Sequence, residues 1–408
     1  MRSDKNLSLD TQKLLNSIPE LISKTFPIPA RFRGALPSDI AELSRLLTNN
    51  RGERALSYIG QKNYLSAYLH YFLPWNLYRL CFLLPSIDIK LSAGDSITDL
   101  GSGPLTFVTA LWISRPDLRS IPLEFNCIDR TLSVMEAGKK LFSALCSQTR
   151  IESKWKINLI KKEINISGLN KGGHQKPDKL STGKHQKGNA SLVCAVNLFN
   201  EMYDRIPHSN IGKLKGMAEN AAHYMHEEAD IDASILIVEP GIPQSGRFIS
   251  LLRDAFIELE RPPSAPCTHT GDCPLIPRHQ KAGIKQKWCH FASDAEGIPR
   301  ELKRLSAAAR LPKERIVVSF LLTQKPSFKK NTKEESIRII SDAFPLPHGK
   351  FGRYGCSEKG LVLLTGEKTK IEKFESLSCI EQDSQKSTIF TDKGERDEKS
   401  GAIIMELK

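Results

Sequence analysis

The residues of this chain best suited to chemistry are three thiols in one irregular stretch. Cys267 and Cys273 stand in APCTHTGDCPL, and Cys289 follows in KWCHF. Pro266, Gly271 and Pro274 oppose a helix or strand there, and a loop with three thiols is poor core material. Thiolates are ligands of zinc and of iron–sulfur clusters, and either centre needs a fourth donor. Cys356, in the glycine-rich turn FGRYGCSEKG, is the best candidate by context, with His269 and His290 as alternatives. The spacing matches neither the paired C-x-x-C of a zinc ribbon nor a ferredoxin run, so the metal stays open. Unrelated thiols gathered by chance are the plain alternative. The other five of the nine cysteines, Cys81, Cys127, Cys146, Cys194 and Cys379, lie mostly in apolar runs and read as inert.

A second constellation is Asp99-Leu100-Gly101-Ser102-Gly103, within SITDLGSGPLTFVTALW. It reads as a strand end, a tight turn and an apolar helix from Thr106 to Ile113. The glycines let the backbone approach a ligand, and the helix start offers unpaired N–H groups. The third glycine of the dinucleotide fingerprint is missing. The D-x-G-x-G order resembles instead motif I of class I S-adenosylmethionine (SAM) methyltransferases; a plain structural turn is the bland reading. Asp129 ends the next strand, LEFNCID. An acid there can hold ribose hydroxyls, although it stands somewhat beyond the usual spacing of about 20 residues.

These groups need a frame. Leu14, Ile18, Leu21 and Ile22, then Ile40, Leu43, Leu46 and Leu47, recur at helical spacing and predict an N-terminal helical domain over 1–90. Tyr64, Tyr68, Tyr71, Phe72, Trp75 and Tyr78 within it read as core rather than as a base-stacking platform. Over 91–325 strands alternate with helices, through SLVCAVN and ILIVE to IVVSFLL at the sheet's end. That is an α/β, Rossmann-like domain. Residues 167–189, rich in Gly and Lys, read as a flexible insert, and 265–291 as a cysteine-rich metal loop. Residues 330–368 predict a small C-terminal β appendage, and 383–408 a mobile charged tail. Asn197, Asn200 and Glu201, after SLVCAVN, are the polar candidates to face a methyl acceptor. The catalytic residue stays unassigned.

The chain has 408 residues and a net charge of +13, from 59 basic and 46 acidic residues. That surplus suits a polyanion, with RNA or DNA the usual one and mere solubility the alternative. The greasiest stretch, Tyr64 to Pro85, is interrupted by His70, Pro74, Asn76 and Arg79 and is too polar to span a bilayer. No membrane partner is expected. The first 30 residues lack the apolar run of a secretory signal. Asp4, Asp10 and Glu20 favour a bacterial cytoplasm over the alternative, a mitochondrial matrix.

Taken together, the motifs resemble the small-ribosomal-subunit methyltransferase-like family of mitochondria and bacteria, of Rsm-twenty-two type. The resemblance rests on YLHYFLPWNLYRL, DLGSGPLTF, VEPGIPQSGRF, APCTHTGDCPL, KWCHF, RIISD and GRYGC, and runs over residues 50–365. It implies that Cys267, Cys273, Cys289 and Cys356 hold a [4Fe–4S] cluster, with zinc the alternative from spacing. It implies that Gly101, Gly103 and Asp129, with Asp99 and Ser102 of the same motif, line a SAM pocket. The implied partner is the rRNA of the small subunit. The Lys-rich insert and the charged tail depart from the family pattern, and the sequence leaves the oligomeric state open.

Two functions compete on this reading. One is a SAM-dependent rRNA methyltransferase; the other is a non-catalytic assembly factor that keeps the fold as a scaffold. Radical SAM chemistry is disfavoured, because its C-x-x-x-C-x-x-C spacing is missing and four cysteines would close the cluster.

Overall fold

A computed structural model describes residues 7–48, 61–166, 188–203, 206–207, 210–276, 287–295, 297–324, 336–381 and 390–407. Nearly all of the 167–189 insert, and 277–286 of the cysteine loop, lie outside the described residues.

The first sheet holds β1 (Ser96–Leu100), β2 (Glu124–Asp129), β3 (Lys156–Lys161), β4 (Ala190–Val196), β5 (Ala229–Pro240), β6 (Pro263–Ala265), β7 (Phe291–Asp294) and β8 (Arg315–Thr323). Its order is β3-β2-β1-β4-β5-β8-β6, with β7 also on β8. The strands from β3 to β5 are parallel; β8 runs antiparallel to β5, and β6 and β7 antiparallel to β8. Strands of a parallel sheet are covered on both faces and so read as unbroken apolar runs. Leu192–Val196 and Ile235–Val238 are of this kind and wholly buried. Every residue of the helix Thr106–Ser114 is buried, packed mainly on the helix Leu73–Leu83. This is the doubly wound α/β class that the sequence predicts. Two short strands lie beyond β8, so β8 is not the outermost.

The N-terminal helices do not make a core of their own. Leu9–Thr25 buries Leu14, Leu15, Ile18 and Ile22 in the core that the sheet shares. One amphipathic stripe has no other partner large enough to cover it. Asp10 meets the buried Arg119 guanidinium at 2.8 Å, and Tyr78 Oη donates to Asn16 Oδ1 at 2.7 Å. Tyr71, Trp75 and Tyr78 are core. Tyr71 Oη donates to the Leu311 carbonyl at 3.0 Å, anchoring the aromatic stretch to the far end of the first sheet.

The second sheet corrects the expected appendage and tail. It consists of β9 (Ser336–Ile339), β10 (Phe344–Pro345), β11 (Phe351–Ser357), β12 (Gly360–Gly366), β13 (Cys379–Glu381), β14 (Phe390–Arg396) and β15 (Ile403–Leu407). The order is β13-β9-β11-β12-β15-β14, with β10 on β11. The segment expected to be a mobile tail thus supplies two strands. Ile403, Met405 and Leu407 alternate inward and pack with Val362, Leu364 and Phe390. Three well-spaced apolar residues suffice for a strand when a neighbouring sheet already offers an open edge.

Candidate functional site

β1 ends in a turn at Gly101 (φ +69°) and Gly103 (φ +51°), conformations in which L side chains are strained. The N–H groups of Gly101 and Ser102 both donate to the Ile128 carbonyl, at 2.8 and 3.1 Å, so β2 holds the loop. From behind, Gly138 of the helix Leu132–Thr149 lies so close that a Cβ would sit 2.3 Å from the Pro104 carbonyl carbon. A Cβ on Gly101 would approach Leu198 Cδ1 to 2.7 Å, whereas one on Gly103 would meet nothing within 4 Å. The space in front of Gly103 is open, at the point where the strand order reverses between β1 and β4.

Asp129 stands at the rim of that space. Its Oδ2 accepts from the Gly103 N–H at 3.1 Å and its Oδ1 from the Thr131 N–H at 2.8 Å. Each oxygen keeps a lone pair for a further donor. Burial pushes its pKa up, against these two amides. Ser102 and Asp99 lie beneath the rim: Ser102 Oγ donates to the Asp99 carbonyl at 2.8 Å. Asp99 is 1% exposed; its Oδ1 accepts from the Cys194 thiol at 3.4 Å and its Oδ2 has no partner among the described residues. Of the five residues read from the motif, Gly101, Gly103 and Asp129 are half-buried at the rim, while Asp99 and Ser102 support it.

The other side of the opening comes from β4 and the helix Leu73–Leu83. Asn197, at φ +54°, accepts at Oδ1 from Arg79 Nη1 at 3.4 Å, and Arg79 Nη1 also donates to Asn76 Oδ1 at 2.8 Å. Arg130 pairs with Glu201 at 3.4 Å. The turn after β4 is held by Glu239, the buried last acid of β5. Its carboxyl accepts from the N–H groups of Phe199 and Asn200, at 2.9 and 3.1 Å, and from Tyr203 Oη at 3.4 Å. Sequence reasoning missed Glu239 and Arg79. The acid ending ILIVE is a signal that could have found the first; nothing marks Arg79 among its aromatic neighbours.

Glu239 and Asp99 also predict a pH response. Burial pushes Glu239 up to about 8 and Asp99 up to about 7. Both sit above the ordinary carboxyl values near 4, so the stability they contribute is full below that range. It is lost as pH rises through about 7 and 8. The urea midpoint is expected to fall between pH 5 and pH 9, and Asp99→Asn to flatten the first part of that fall. A midpoint independent of pH over this range, in the wild type, would contradict the assignment.

The four sequence-selected cysteines meet between the two sheets. Cys267 and Cys273 follow β6, Cys289 precedes β7, and Cys356 sits on β11. All four line one chamber together with Arg253 and Arg338. Arg253 pins the irregular loop by donating to the carbonyls of His269 and Gly271, at 3.0 and 2.6 Å. Arg338 Nε donates to the Pro266 carbonyl at 2.7 Å from the second sheet. Burial first, then the neighbouring thiols, pushes Cys289 and Cys356 well above the ordinary thiol range. Of the alternative fourth ligands, His269 has Nε2 3.5 Å from Cys356 Sγ, while His290 stacks on Trp288 at 4.6 Å. Among the described residues no three His, Cys, Asp or Glu side chains converge on a point as ligands of one metal ion do. The chamber they line is small, about 20 Å³. The two arginines carry no sequence signal; only the fold brings them to the cysteines.

No curated protein sequence matches the chain. Among solved structures, PH0851 is 10% identical with a TM-score of 0.32, covering 61% of this chain and 45% of its own, less than two thirds of its length. An antibiotic-related methyltransferase is 10% identical with a TM-score of 0.30, covering 59% and 97%. A mutant of the 16S rRNA (adenine(1408)-N(1))-methyltransferase from Catenulisporales acidiphilia is 11% identical with a TM-score of 0.29, covering 57% and 89%. Residues 206–343 match the family described as "Mitochondrial small ribosomal subunit Rsm22", which agrees over those residues with the resemblance read from the motifs, while DLGSGPLTF and GRYGC lie outside the match.

Proposed function

We propose that the chain is a SAM-binding, iron–sulfur-containing methyltransferase-like protein that works on or with small-subunit rRNA in ribosome assembly. The observation that carries this reading is the open space before Gly103, at the strand-order reversal, with Asp129 at its rim. Gly101 and Gly103 would let the cofactor lie against the backbone, and Asp129 would accept from its ribose hydroxyls. Asp99 and Ser102 would keep the turn in shape from below. When bound, SAM supplies an electrophilic methyl group for a nucleophilic acceptor atom.

The donor set of the chamber supports the iron–sulfur half. Four soft ligands line it, and the guanidinium groups of Arg253 and Arg338 would offset the charge of an anionic cluster. Zinc would instead draw four sulfurs to within about 3.8 Å of one another, given bonds of about 2.3 Å. The charge of +13 supports an RNA partner. A family described from the mitochondrial small subunit favours the mitochondrial matrix over a bacterial cytoplasm. No described helix is long and apolar enough to cross a membrane.

The scaffold reading has its own support. Glu201 is paired with Arg130, and Glu239 is engaged by two amides and a hydroxyl. Among the described residues, neither acid near the end of β4 is therefore poised as a base. Transfer of labelled methyl from SAM to small-subunit rRNA separates the two. Transfer supports the enzyme, SAM binding without transfer supports the scaffold, and neither binding nor transfer sinks the SAM assignment.

A further inference from the structure

Arg79 reaches the same corner of the opening as the glycine turn. Its Nη1 meets Asn197, and the next residue, Leu198, is the one that lies against Gly101. The helix that carries it, Leu73–Leu83, follows directly on a π-helical turn, Tyr68–Phe72. Such turns widen a helix locally and are common beside functional sites.

The guanidinium is only partly matched. Nη1 has two amide acceptors, but among the described residues Arg79 has no carboxylate partner, and its buried Nε has no acceptor at all. Leaving a buried charged donor unmatched is costly. The Nε–Nη2 edge is the one with which arginine grips an oxyanion by two parallel bonds. Glu239 lies close enough to attract Arg79, but its oxygens are held by the turn after β4, and Glu201 pairs with Arg130. A second cation adds to the surplus. Lys313 lies against the rings of Tyr71 and Trp75, at 5.1 and 5.0 Å, without a carboxylate partner among the described residues. Burial, and then Arg79, pulls its pKa down to about 7; burial likewise pulls Arg79 down to about 10. Two half-buried basic groups near one opening bias the local field toward an anion.

We propose that Arg79, fixed by Asn76 and Asn197, is an oxyanion subsite of this opening, gripping either the amino-acid carboxylate of SAM or a phosphate of the RNA acceptor. It rests on the SAM and RNA reading above and assigns a ligand group within it.

The test measures binding of S-adenosylhomocysteine, of 5′-methylthioadenosine and of a short single-stranded oligoribonucleotide by calorimetry, to wild type, Arg79→Gln and Arg79→Lys. Methylthioadenosine keeps the nucleoside and thioether but lacks the carboxylate, so its binding also reports an intact fold. If the carboxylate is the ligand, Arg79→Gln weakens S-adenosylhomocysteine by about 10- to 100-fold and leaves methylthioadenosine unchanged. Arg79→Lys, with the charge but not the fork, falls between. If phosphate is the ligand, S-adenosylhomocysteine is unaffected, RNA binding weakens, and its salt dependence drops by about one phosphate contact. Wild-type-like binding of both ligands to Arg79→Gln overturns the subsite. A wild type that binds neither nucleoside defeats the SAM reading instead, and the RNA arm alone then decides on Arg79.

Discussion

Cys356→Ser is expected to strip the anaerobically purified protein of its iron and acid-labile sulfide, from about four of each to near zero. The visible absorption should vanish with them. Cys356 is the thiol that the second sheet contributes; the other three lie on loops bordering β6 and β7. If the proposed cluster is held here, losing Cys356 would remove one ligand and the covalent bridge between the sheets together. Ligand thiols must be deprotonated to bind, so a cluster held here would have to offset the burial that raises Cys289 and Cys356. Binding energy of that kind is also folding energy, so limited proteolysis should cut the second sheet of the variant much faster. Cys146→Ser, half-buried on the helix Leu132–Thr149, is the control and should keep its iron. Full iron and sulfide in Cys356→Ser would remove the cluster from this chamber. Zinc without sulfide in the wild type would replace it with a structural ion.

Gly103→Leu should abolish SAM binding while leaving the chain folded. A Cβ at this position meets no protein atom within 4 Å, so the new side chain clashes with nothing already there. The strain of φ +51° in an L residue costs roughly 1–2 kcal/mol, a few degrees of Tm in a chain of this size. The added branched chain fills the space that a cofactor needs against the turn. We expect an affinity loss of more than about 100-fold, the scale on which a steric block exceeds about 2.7 kcal/mol. Gly101 is a poorer choice, because its Cβ would strike Leu198 and confound stability with binding. Unchanged SAM affinity in a folded Gly103→Leu protein would move the cofactor away from this turn.

Much of the frame was legible in the residues themselves. Apolar runs such as SLVCAV and ILIV, alternating with helical segments, predict a parallel sheet because such strands must be covered on both faces. Glycines at a strand-to-helix turn predict a close approach because few other residues tolerate φ above zero. Three thiols among prolines predict a shared task because a core would not select them. What the residues left undetermined is what depends on distant partners. The tail reads as mobile by composition, yet β15 pairs with β12 through Val362 and Ile403, because an open sheet edge can recruit a weakly apolar strand. Whether the N-terminal helices stand alone depends on the face beneath them, which only the fold supplies.

The sequence by itself determined the fold class, the glycine turn and the identity of four candidate thiols, since each follows from local spacing and residue type. Only the tertiary structure decided which charges share their space. Arg253 and Arg338 at the chamber, Glu239 under the turn after β4, and Arg79 beside Asn197 all come from separate segments of the chain. A charge is matched by whatever folds against it, and single-sequence spacing carries no record of contacts across such separations.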